Sequence, residues 1–314
     1  MPDIVIVGEI LTEIMTMKAG QTFLQAGELR GPYPSGAPAI FIDQAARMGA
    51  SCGIISQVGD DDFGTLNVER LRRDGVDVSQ IKIAKDYTTG IAFVTYYEDG
   101  SRHFVFHWKQ SAAGYMTPDD VDEKYLDGCK YLHIMGCTIS ATDGARASVV
   151  KAAEAVKKRG GKVVFDPNLR PELLGNEKVK TVFQQILDMT DILLSGESEL
   201  QAILGLKTNE ETLAALRAKG IGLIVLKNGS RGIQVWSGQE CTRIAPLKVE
   251  EVDPTGAGDC FDGAFIACLA EGKCIAEAAE IANAAGALSV TKKGPMEGAH
   301  KKEEILAFLK QSKG

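Results

Sequence analysis

The sequence predicts an α/β protein built on a doubly wound, mostly parallel sheet that is flanked by helices. Short, almost entirely apolar runs recur along the chain, as is typical of parallel strands that are covered on both faces. Helix-length segments separate these runs, which is the alternation expected of a doubly wound sheet. The length of 314 residues suffices for one large domain. We therefore expect residues 1–314 to form a single α/β domain with a small lid.

Six apolar runs are predicted as strands of the main sheet. They comprise residues 4–7, 53–56, 131–134, 162–165, 192–194 and 223–226. A helix is predicted over residues 148–158, where an apolar stripe ends before Gly160 and Gly161, a common C-terminal cap. Thr208 and Glu211 have the spacing of a capping box and predict the start of another helix.

Two regions interrupt this alternation and predict the lid. Residues 12–33 contain three glycines and Pro32, with Pro34 just beyond, and are too broken for a helix. Residues 88–108 predict a β-hairpin, because alternating runs flank Asp99-Gly100, a pair typical of a type I′ turn. A two-stranded ribbon cannot bury both of its faces alone. We therefore expect the two regions to form a β lid that covers the domain or pairs with another subunit.

Composition limits the functional classes. The formal net charge of −7 disfavours a protein whose main function is nucleic-acid binding. The sequence has no apolar run of the ~18–20 residues that a membrane helix needs, and no signal peptide is recognisable at its start. Seven scattered cysteines without a C-x-x-C pair favour reduced thiols over disulfides or a zinc site. These observations predict a cytoplasmic protein without nucleic-acid or membrane partners.

The most informative motif spans residues 253–265. Gly256 and Gly258 precede an apolar stretch that begins like a helix, and free amides at a helix N-terminus form an anion site. Asp259 would repel a bound phosphate, but it suits a base that takes a proton from an attacking hydroxyl. The alternative is a glycine-rich turn in which Asp259 is only an N-terminal helix charge. Neither a Walker A sequence nor a G-x-G-x-x-G after the first strand is present.

Residues 253–265 resemble the C-terminal signature of the ribokinase-like sugar kinases, also called the phosphofructokinase-B family. The N-terminal signature of that family is similar to residues 35–39, 45–49 and 58–64. Two further family segments correspond, in the same order, to residues 166–170 and 227–232. The resemblance thus covers the whole chain and implies a ribokinase-like fold and an ATP-dependent carbohydrate kinase.

The resemblance also implies the roles of individual residues. It places Gly256, Ala257 and Gly258 on the transferring phosphoryl group and makes Asp259 the catalytic base. The nucleotide-binding residues would be Asn168, Arg170, Lys227, Gly229, Ser230, Gly232 and Asn283. The substrate-binding residues would be Glu13, Ser35, Gly36, Ala37, Trp108, Lys109, Arg170 and Asp259. Glu199 would hold Mg²⁺ through water. ATP and Mg²⁺ are the implied cofactors, and a monovalent cation remains open.

Some positions depart from the family pattern. Ser35 stands where many members have a first glycine, and Ile40 stands where an asparagine contacts the sugar, which disfavours a ribose-type substrate. Residues 196–199 replace the usual Asn-x-x-Glu metal motif, which leaves Glu199 or Glu197 for that role. Lys109 stands where keto-deoxy-gluconate kinases commonly carry an arginine, and a lysine still holds a carboxylate as a point charge.

Together these features predict phosphorylation of a six-carbon sugar, such as the 2-ketohexoses tagatose or fructose. The close alternative is a 2-keto-3-deoxygluconate kinase, and a phosphorylated sugar is a weaker alternative acceptor. An inactive sugar- or nucleotide-binding regulator is disfavoured, because Asp259 and both glycines are intact. Phe104, Phe106 and Trp108 would share one face of the lid ribbon. That apolar face should pack on the chain's own core or form a homodimer.

Overall fold

The computed structural model describes residues 1–99, 101–169 and 175–312. The strands in these residues are β1 (Ile4–Val7), β2 (Leu11–Thr16), β3 (Leu29–Ser35), β4 (Cys52–Gly59), β5 (Ile81–Ala84), β6 (Gly90–Tyr96), β7 (Arg102–His107), β8 (Tyr131–Met135), β9 (Lys162–Asp166), β10 (Ile192–Ser195), β11 (Leu223–Lys227), β12 (Ile233–Ser237) and β13 (Glu240–Ile244). The helices are α1 (Ala37–Arg47), α2 (Asp62–Asp74), α3 (Gly136–Ile139), α4 (Asp143–Lys158), α5 (Glu177–Met189), α6 (Glu197–Leu204), α7 (Asn209–Ala218), α8 (Ala257–Ala270), α9 (Ile275–Ser289) and α10 (Lys302–Ser312).

A nine-stranded main sheet has the order β13-β12-β11-β10-β9-β8-β1-β4-β5. The six strands predicted from apolar runs are confirmed, and all of them pair in parallel. Their side chains are almost completely buried, as both faces of the sheet are covered. At one edge β12 pairs antiparallel with both β11 and β13, so among these nine strands only β12 runs in the opposite direction.

Helices pack on both faces of this sheet, which confirms the doubly wound α/β fold. One core includes Phe41 of α1 and Phe265 of α8, and the other includes Phe165 of β9 and Phe183 of α5. The helix predicted over residues 148–158 begins earlier, at Asp143. The reason is that the Thr142 hydroxyl accepts a hydrogen bond from the amide of Ala145 and caps the helix there.

The N-terminus predicted from Thr208 is confirmed, although the carboxylate three residues later bonds a different atom. The Thr208 hydroxyl accepts a hydrogen bond from the Glu211 amide at 3.3 Å and caps α7. The Glu211 carboxylate accepts from that same hydroxyl at 2.9 Å. A reciprocal capping box would use the Thr208 amide instead.

A second sheet of four strands, in the order β3-β2-β6-β7, lies beside the first, and we call it the lid sheet. It contains the predicted hairpin as β6 and β7, joined to β2 by parallel pairing. The predicted type I′ turn is wrong. Five residues lie between β6 and β7, and the Tyr97 amide donates to the carbonyl of Ser101, so three residues separate this bonded pair where a type I′ turn has two. Gly100 itself lies outside the described residues.

The topology indicates where a ligand binds. In the main sheet, β4 and β5 lie on one side of β1. The strands from β8 to β13 lie in chain order on the other side of β1, so the strand order reverses next to β1. Parallel sheets bind ligands outside the carboxyl ends of their strands at such a reversal. Gly8 follows β1 there, and Asp166 and Lys227 end β9 and β11. Within the described ranges, no helix is both long and apolar enough to cross a membrane.

Candidate active site

A cavity of about 1350 Å³ opens between the carboxyl ends of the main sheet and the lid sheet. It exceeds the ~300–1,000 Å³ of a typical small-molecule site, so it has room for two ligands side by side. Most residues implied by the family resemblance line it. They are Glu13, Ser35, Gly36, Ala37, Trp108, Lys109, Asn168, Glu199, Lys227, Gly229, Ser230, Gly256, Ala257, Gly258, Asp259 and Asn283.

Two implied residues are not among them. Gly232 has φ of +83°, and a Cβ there would lie 2.2 Å from the carbonyl oxygen of Ile244. Its place is therefore a tight turn packed against β13, outside the cavity wall. Arg170 lies outside the described residues. The structure thus brings the sequence motifs together around one cavity while assigning Gly232 to the supporting turn.

The N-terminus of α8 forms the part of this wall whose geometry suits an anion. Gly256 precedes the helix with φ of +83°, a conformation that favours glycine. The amides of Gly256 and Gly258 donate no hydrogen bond to any other described residue. They are therefore available to a ligand, and the helix dipole adds partial positive charge at the same point. Ile40 packs beneath Gly256, where a polar sugar contact is usual in the family.

Asp259 lies in the first turn of α8 and lines the same cavity. It is largely buried, with 8% of its surface exposed. Its carboxylate is thus next to the free amides but shielded from bulk water. This is the arrangement required of a base that accepts a proton from a hydroxyl held at the anion site.

The loop before α8 is held by Asp253, which is completely buried. One oxygen accepts from the Thr255 amide at 3.0 Å. The other accepts from the Tyr96 hydroxyl at 2.9 Å and from the Gly294 amide at 3.0 Å. Since Tyr96 belongs to the lid sheet, this carboxylate joins the lid to the anion-binding loop.

Lys227 is ion-paired, in contrast to the solvated lysine of the alternative interpretation. Its Nζ lies 2.8 Å from Asp166 Oδ2 and 2.9 Å from Asp262 Oδ1. Burial would lower the pKa of Lys227, but the two carboxylates raise it above its ordinary value, so the amine stays charged. Asp166 also accepts from the amide of Asn168, whose φ of 38° is unusual for a non-glycine residue.

Glu199, the implied magnesium residue, is oriented by its own neighbours. Its carboxylate accepts from the Gly196 amide at 2.8 Å, the Ser195 hydroxyl at 3.0 Å and the Leu169 amide at 3.0 Å. An ionised carboxylate has about four acceptor sites, so one remains for a water on a cation. Glu197 pairs with Asn209 and Arg231 at a smaller neighbouring pocket.

At the opposite end of the cavity, Glu13 is almost completely buried on β2. Its Oε2 accepts a long hydrogen bond of 3.4 Å from the Ser35 hydroxyl, whereas Oε1 has no hydrogen-bond partner in the part of the chain that the structure describes. Burial, together with the nearby Asp253, raises the pKa of Glu13 to about 8. A neutral Glu13 presents one donor and one acceptor to a ligand, which matches a sugar hydroxyl.

The lid sheet supplies a residue that the sequence analysis missed. Arg102 of β7 donates to the Thr255 hydroxyl at 2.7 Å and thereby spans the cavity mouth. The signal was the alternation in β7, because Arg102 shares a face with Phe104, Phe106 and Trp108. Phe104 and Phe106 stack at 5.3 Å and line the cavity with Trp108. The apolar face thus packs toward the chain's own site, as one of the two expectations had it.

Comparison with known proteins identifies the family. The family model described as pfkB family carbohydrate kinase matches residues 1–302. This chain belongs to the pfkB family of carbohydrate kinases. It is 35% identical over 285 residues to the 2-dehydro-3-deoxygluconokinase of Thermoproteus tenax, covering 88% of this chain and 86% of that one. It is 31% identical over 320 residues to "Probable fructokinase-3" of Arabidopsis thaliana, covering 99% and 92%.

Solved structures agree with this membership. A provisionally named Ribokinase II from E. coli, in complex with ATP and Mg²⁺, has a TM-score of 0.95 and 43% sequence identity. The match covers 99% of this chain and 100% of that chain. The pfkB fold, with its large mostly parallel sheet and lid, is therefore confirmed. The chain is a carbohydrate kinase, as the resemblance implied.

Proposed function

We propose that this pfkB kinase transfers the terminal phosphoryl group of ATP to a hydroxyl of a six-carbon 2-keto sugar, such as tagatose or fructose. The observation that carries the proposal is that Asp259 and the free amides of Gly256 and Gly258 face the same cavity as Glu13. A base, an anion site and a sugar-binding acid thus share one enclosure. Relatives that are named fructokinase support a ketohexose.

The residues of this chain perform the transfer by positioning and charge neutralisation. The amides of Gly256 and Gly258 receive the migrating phosphoryl group, and Lys227 adds a fixed positive charge beside them. Asp259 takes the proton of the attacking hydroxyl. The lid bond between Arg102 and Thr255 keeps water away from this reaction. A base that lies beside the anion site needs no large movement to act.

For the cofactors, we propose ATP along the wall formed by Asn168, Gly229, Ser230 and Asn283. Glu199 fits a magnesium ion that is held through water, because its carboxylate is fixed by three donors and keeps one acceptor site. Mg²⁺ neutralises phosphate charge when it is bound. Among the described residues no cluster of three or more ligating side chains is found, which agrees with an ion held mainly by phosphates and water. A monovalent cation requirement is tested by assays with and without K⁺.

The alternative substrate, 2-keto-3-deoxygluconate, differs by a carboxylate. Lys109 lines the cavity and is a suitable point charge for that group, and a relative named 2-dehydro-3-deoxygluconokinase supports this alternative. A kinetic panel with tagatose, fructose and 2-keto-3-deoxygluconate decides between them. We expect the highest kcat/KM with a ketohexose. Turnover of the acid alone would transfer the assignment to the alternative, and no turnover with ATP would leave a binding protein.

We further propose a homodimer through the outer face of the lid sheet. Ile14, Phe93 and Val105 lie in register there, on the face opposite the cavity, and are only half-buried. The apolar patch for association is therefore different from the Phe104–Phe106 face, which points into the site. Light scattering should show a dimer for the wild type and a monomer for Phe93→Arg. A monomeric wild type would refute the dimer.

The cellular setting is proposed from the cysteines. All seven cysteines are free thiols, and five of them are buried. Reduced thiols and an ATP substrate fit the cytoplasm, with the sugar and ATP as small-molecule partners and no nucleic acid or membrane. Localisation of a tagged chain by microscopy or fractionation tests this proposal.

A further inference from the structure

We propose that Asp262 is a positioning residue for phosphoryl transfer, which holds the Lys227 ammonium against the anion-binding turn of α8 by a hydrogen bond. The proposal rests on the proposed kinase activity, because it concerns the same site. Asp262 does not line the cavity and plays no part in the steps derived above. It acts through Lys227.

The first observation is the geometry of the ammonium. Both Asp262 oxygens lie on Lys227 Nζ, at 2.9 and 3.0 Å, and Asp166 Oδ2 lies 2.8 Å from the same atom. Asp262 follows Asp259 by one turn of α8 and is completely buried. An ammonium has three N–H donors. When the two Asp262 oxygens share one N–H and Asp166 accepts a second, the third N–H is left. Lys227 itself lines the cavity.

The second observation is the distance to the anion site. A Cβ built on Gly258 would lie 3.5 Å from Lys227 Nζ, so the ammonium adjoins the turn that carries the free amides. A long, flexible lysine side chain holds such a position only when other groups fix it. The two carboxylates supply these groups, and Lys227 also lines the cavity.

The third observation concerns charge. Lys227 with two ionised carboxylates would carry a net charge of −1 beneath a site that receives a phosphoryl group. Burial and the neighbouring Asp166 raise the pKa of Asp262 well above its usual range. Burial by itself would raise the pKa of Asp166, but the charge of Lys227 and the hydrogen bonds with Asp262 and Lys227 together lower it. A neutral Asp262 still accepts from Lys227, donates to Asp166 and leaves the ammonium fully effective.

The fourth observation argues against a purely structural role. Buried charges lose their hydration, and well-packed apolar side chains often replace them without loss of stability. This cluster also abuts His133, which is completely buried and stacks on Phe41 at 3.9 Å. Neither ring nitrogen of His133 has a hydrogen-bond partner among the described residues, although Nε2 lies 3.9 Å from Asp262 Oδ2, and burial lowers the pKa of His133 to about 3. Burying these charges and an imidazole without hydrogen-bond partners costs desolvation free energy in a core. A site that needs a fixed cation explains why they are there.

The test compares Asp262→Leu, Asp262→Asn and Lys227→Met with the wild type. We expect Asp262→Leu to lower kcat by about 10–100-fold, which is the range known for residues that orient a ligating side chain without touching the ligand themselves. The KM for the sugar should change little. Asp262→Asn should stay within about fivefold of the wild type, because its amide accepts from Lys227 and donates to Asp166 as the neutral acid does. The double variant Asp262→Leu/Lys227→Met should be no slower than Lys227→Met alone.

A control and a second readout keep the result interpretable. Asp43→Leu is the control, because it removes another buried carboxylate that does not line the cavity. Asp43 lies 3.3 Å from the guanidinium of Arg70, so this variant should lower stability without lowering kcat. ATP affinity, measured by calorimetry, should weaken about tenfold in Lys227→Met and Asp262→Leu. This readout decides the role of Asp262 even if none of the sugars is a substrate, in which case only the proposed function fails. Wild-type kcat and ATP affinity in Asp262→Leu, additive effects in the double variant, or an Asp262→Asn as slow as Asp262→Leu would overturn the proposal.

Discussion

The two ends of the cavity are built in different ways. At the proposed phosphoryl end, residues 253–259 supply the loop, the amides and the proposed base within one short segment, and Lys227 is ion-paired with two carboxylates. At the lid end, Glu13, Ser35 and Arg102 come from three separate strands. There a buried carboxylate oxygen has no partner within the described chain.

The proposed function explains why the two ends of the cavity are built differently, because one end would hold the phosphoryl group and the other the acceptor. Every kinase reaction transfers the same phosphoryl group, so its site is best completed in advance by backbone amides and fixed charges. The acceptor varies between members of the family, and a site that hydrogen-bonds it must leave polar groups unpaired until it arrives. Under the proposed function, Glu13, whose Oε1 has no partner within the described residues, belongs to the specificity end, and the ion-paired Lys227 belongs to the end that all members would share.

The largest expected effect breaks the phosphoryl end. Asp259→Asn should lower kcat by about 10²–10⁴-fold and leave ATP and sugar binding near wild type, since it removes only the general base. Steady-state kinetics and calorimetry measure the two properties. Asp62→Asn is the matched control, because Asp62 is an exposed acid in the first turn of α2. Equal kcat in both variants would reduce Asp259 to a helix charge.

The next effect concerns the lid end, where Glu13 should make the free energy of unfolding depend on pH. The pKa of Glu13 is raised to about 8 in the fold from an ordinary value of 4.5. The folded state therefore holds a proton that the unfolded state loses, and this contribution to stability is full below pH 4.5 and lost as the pH rises through 8. Relative to the wild type, Glu13→Gln should gain roughly 2–4 kcal/mol of unfolding free energy between pH 5 and 9.

Denaturant titrations at several pH values measure this gain. Glu28→Gln serves as the control, because Glu28 adjoins the same lid sheet but is exposed to solvent. A difference between Glu13→Gln and wild type that stays constant with pH would contradict a raised pKa at the sugar end.

A smaller effect separates the two glycines of the anion site. Gly256→Ala forces a positive φ on alanine and brings its Cβ to 2.7 Å from the Pro295 carbonyl, so it should lose about 1–3 kcal/mol of stability. A Cβ at Gly258 has only an ordinary contact of 3.5 Å with Lys227 Nζ. Gly258→Ala should therefore melt near wild type while its ATP affinity falls. The reverse order of melting temperatures would be inconsistent with this geometry.

The smallest effect concerns the link between the two ends. Tyr96→Phe removes the hydroxyl that donates to Asp253, and the buried oxygen keeps only its Gly294 amide donor. We expect a loss of about 1–2 kcal/mol in unfolding free energy and a modest rise in the KM for the sugar. Thermal melts and kinetics check both. A stability equal to wild type would show that the lid is held by other contacts.

Much of the fold followed from local patterns. Apolar runs predicted six parallel strands, because a strand covered on both faces has few polar residues. Residues 12–33 were predicted only as non-helical, yet they contain β2 and most of β3. Their strands depend on pairing with β6, which is distant in the chain. The hairpin turn was misjudged because cross-strand register, rather than the Asp99-Gly100 pair, set its length.

The sequence by itself determined the phosphoryl end, since amides, glycines and Asp259 are neighbours in the chain and their chemistry is local. Only the tertiary structure decided that Arg102 reaches Thr255, that Asp262 bonds Lys227, and that Glu13 meets Ser35 through one oxygen while its other oxygen has no partner within the described residues. Each of these relations joins residues far apart in sequence across a low-dielectric interior. Their energies depend on burial and on distances of a few ångströms, which no spacing along the chain specifies.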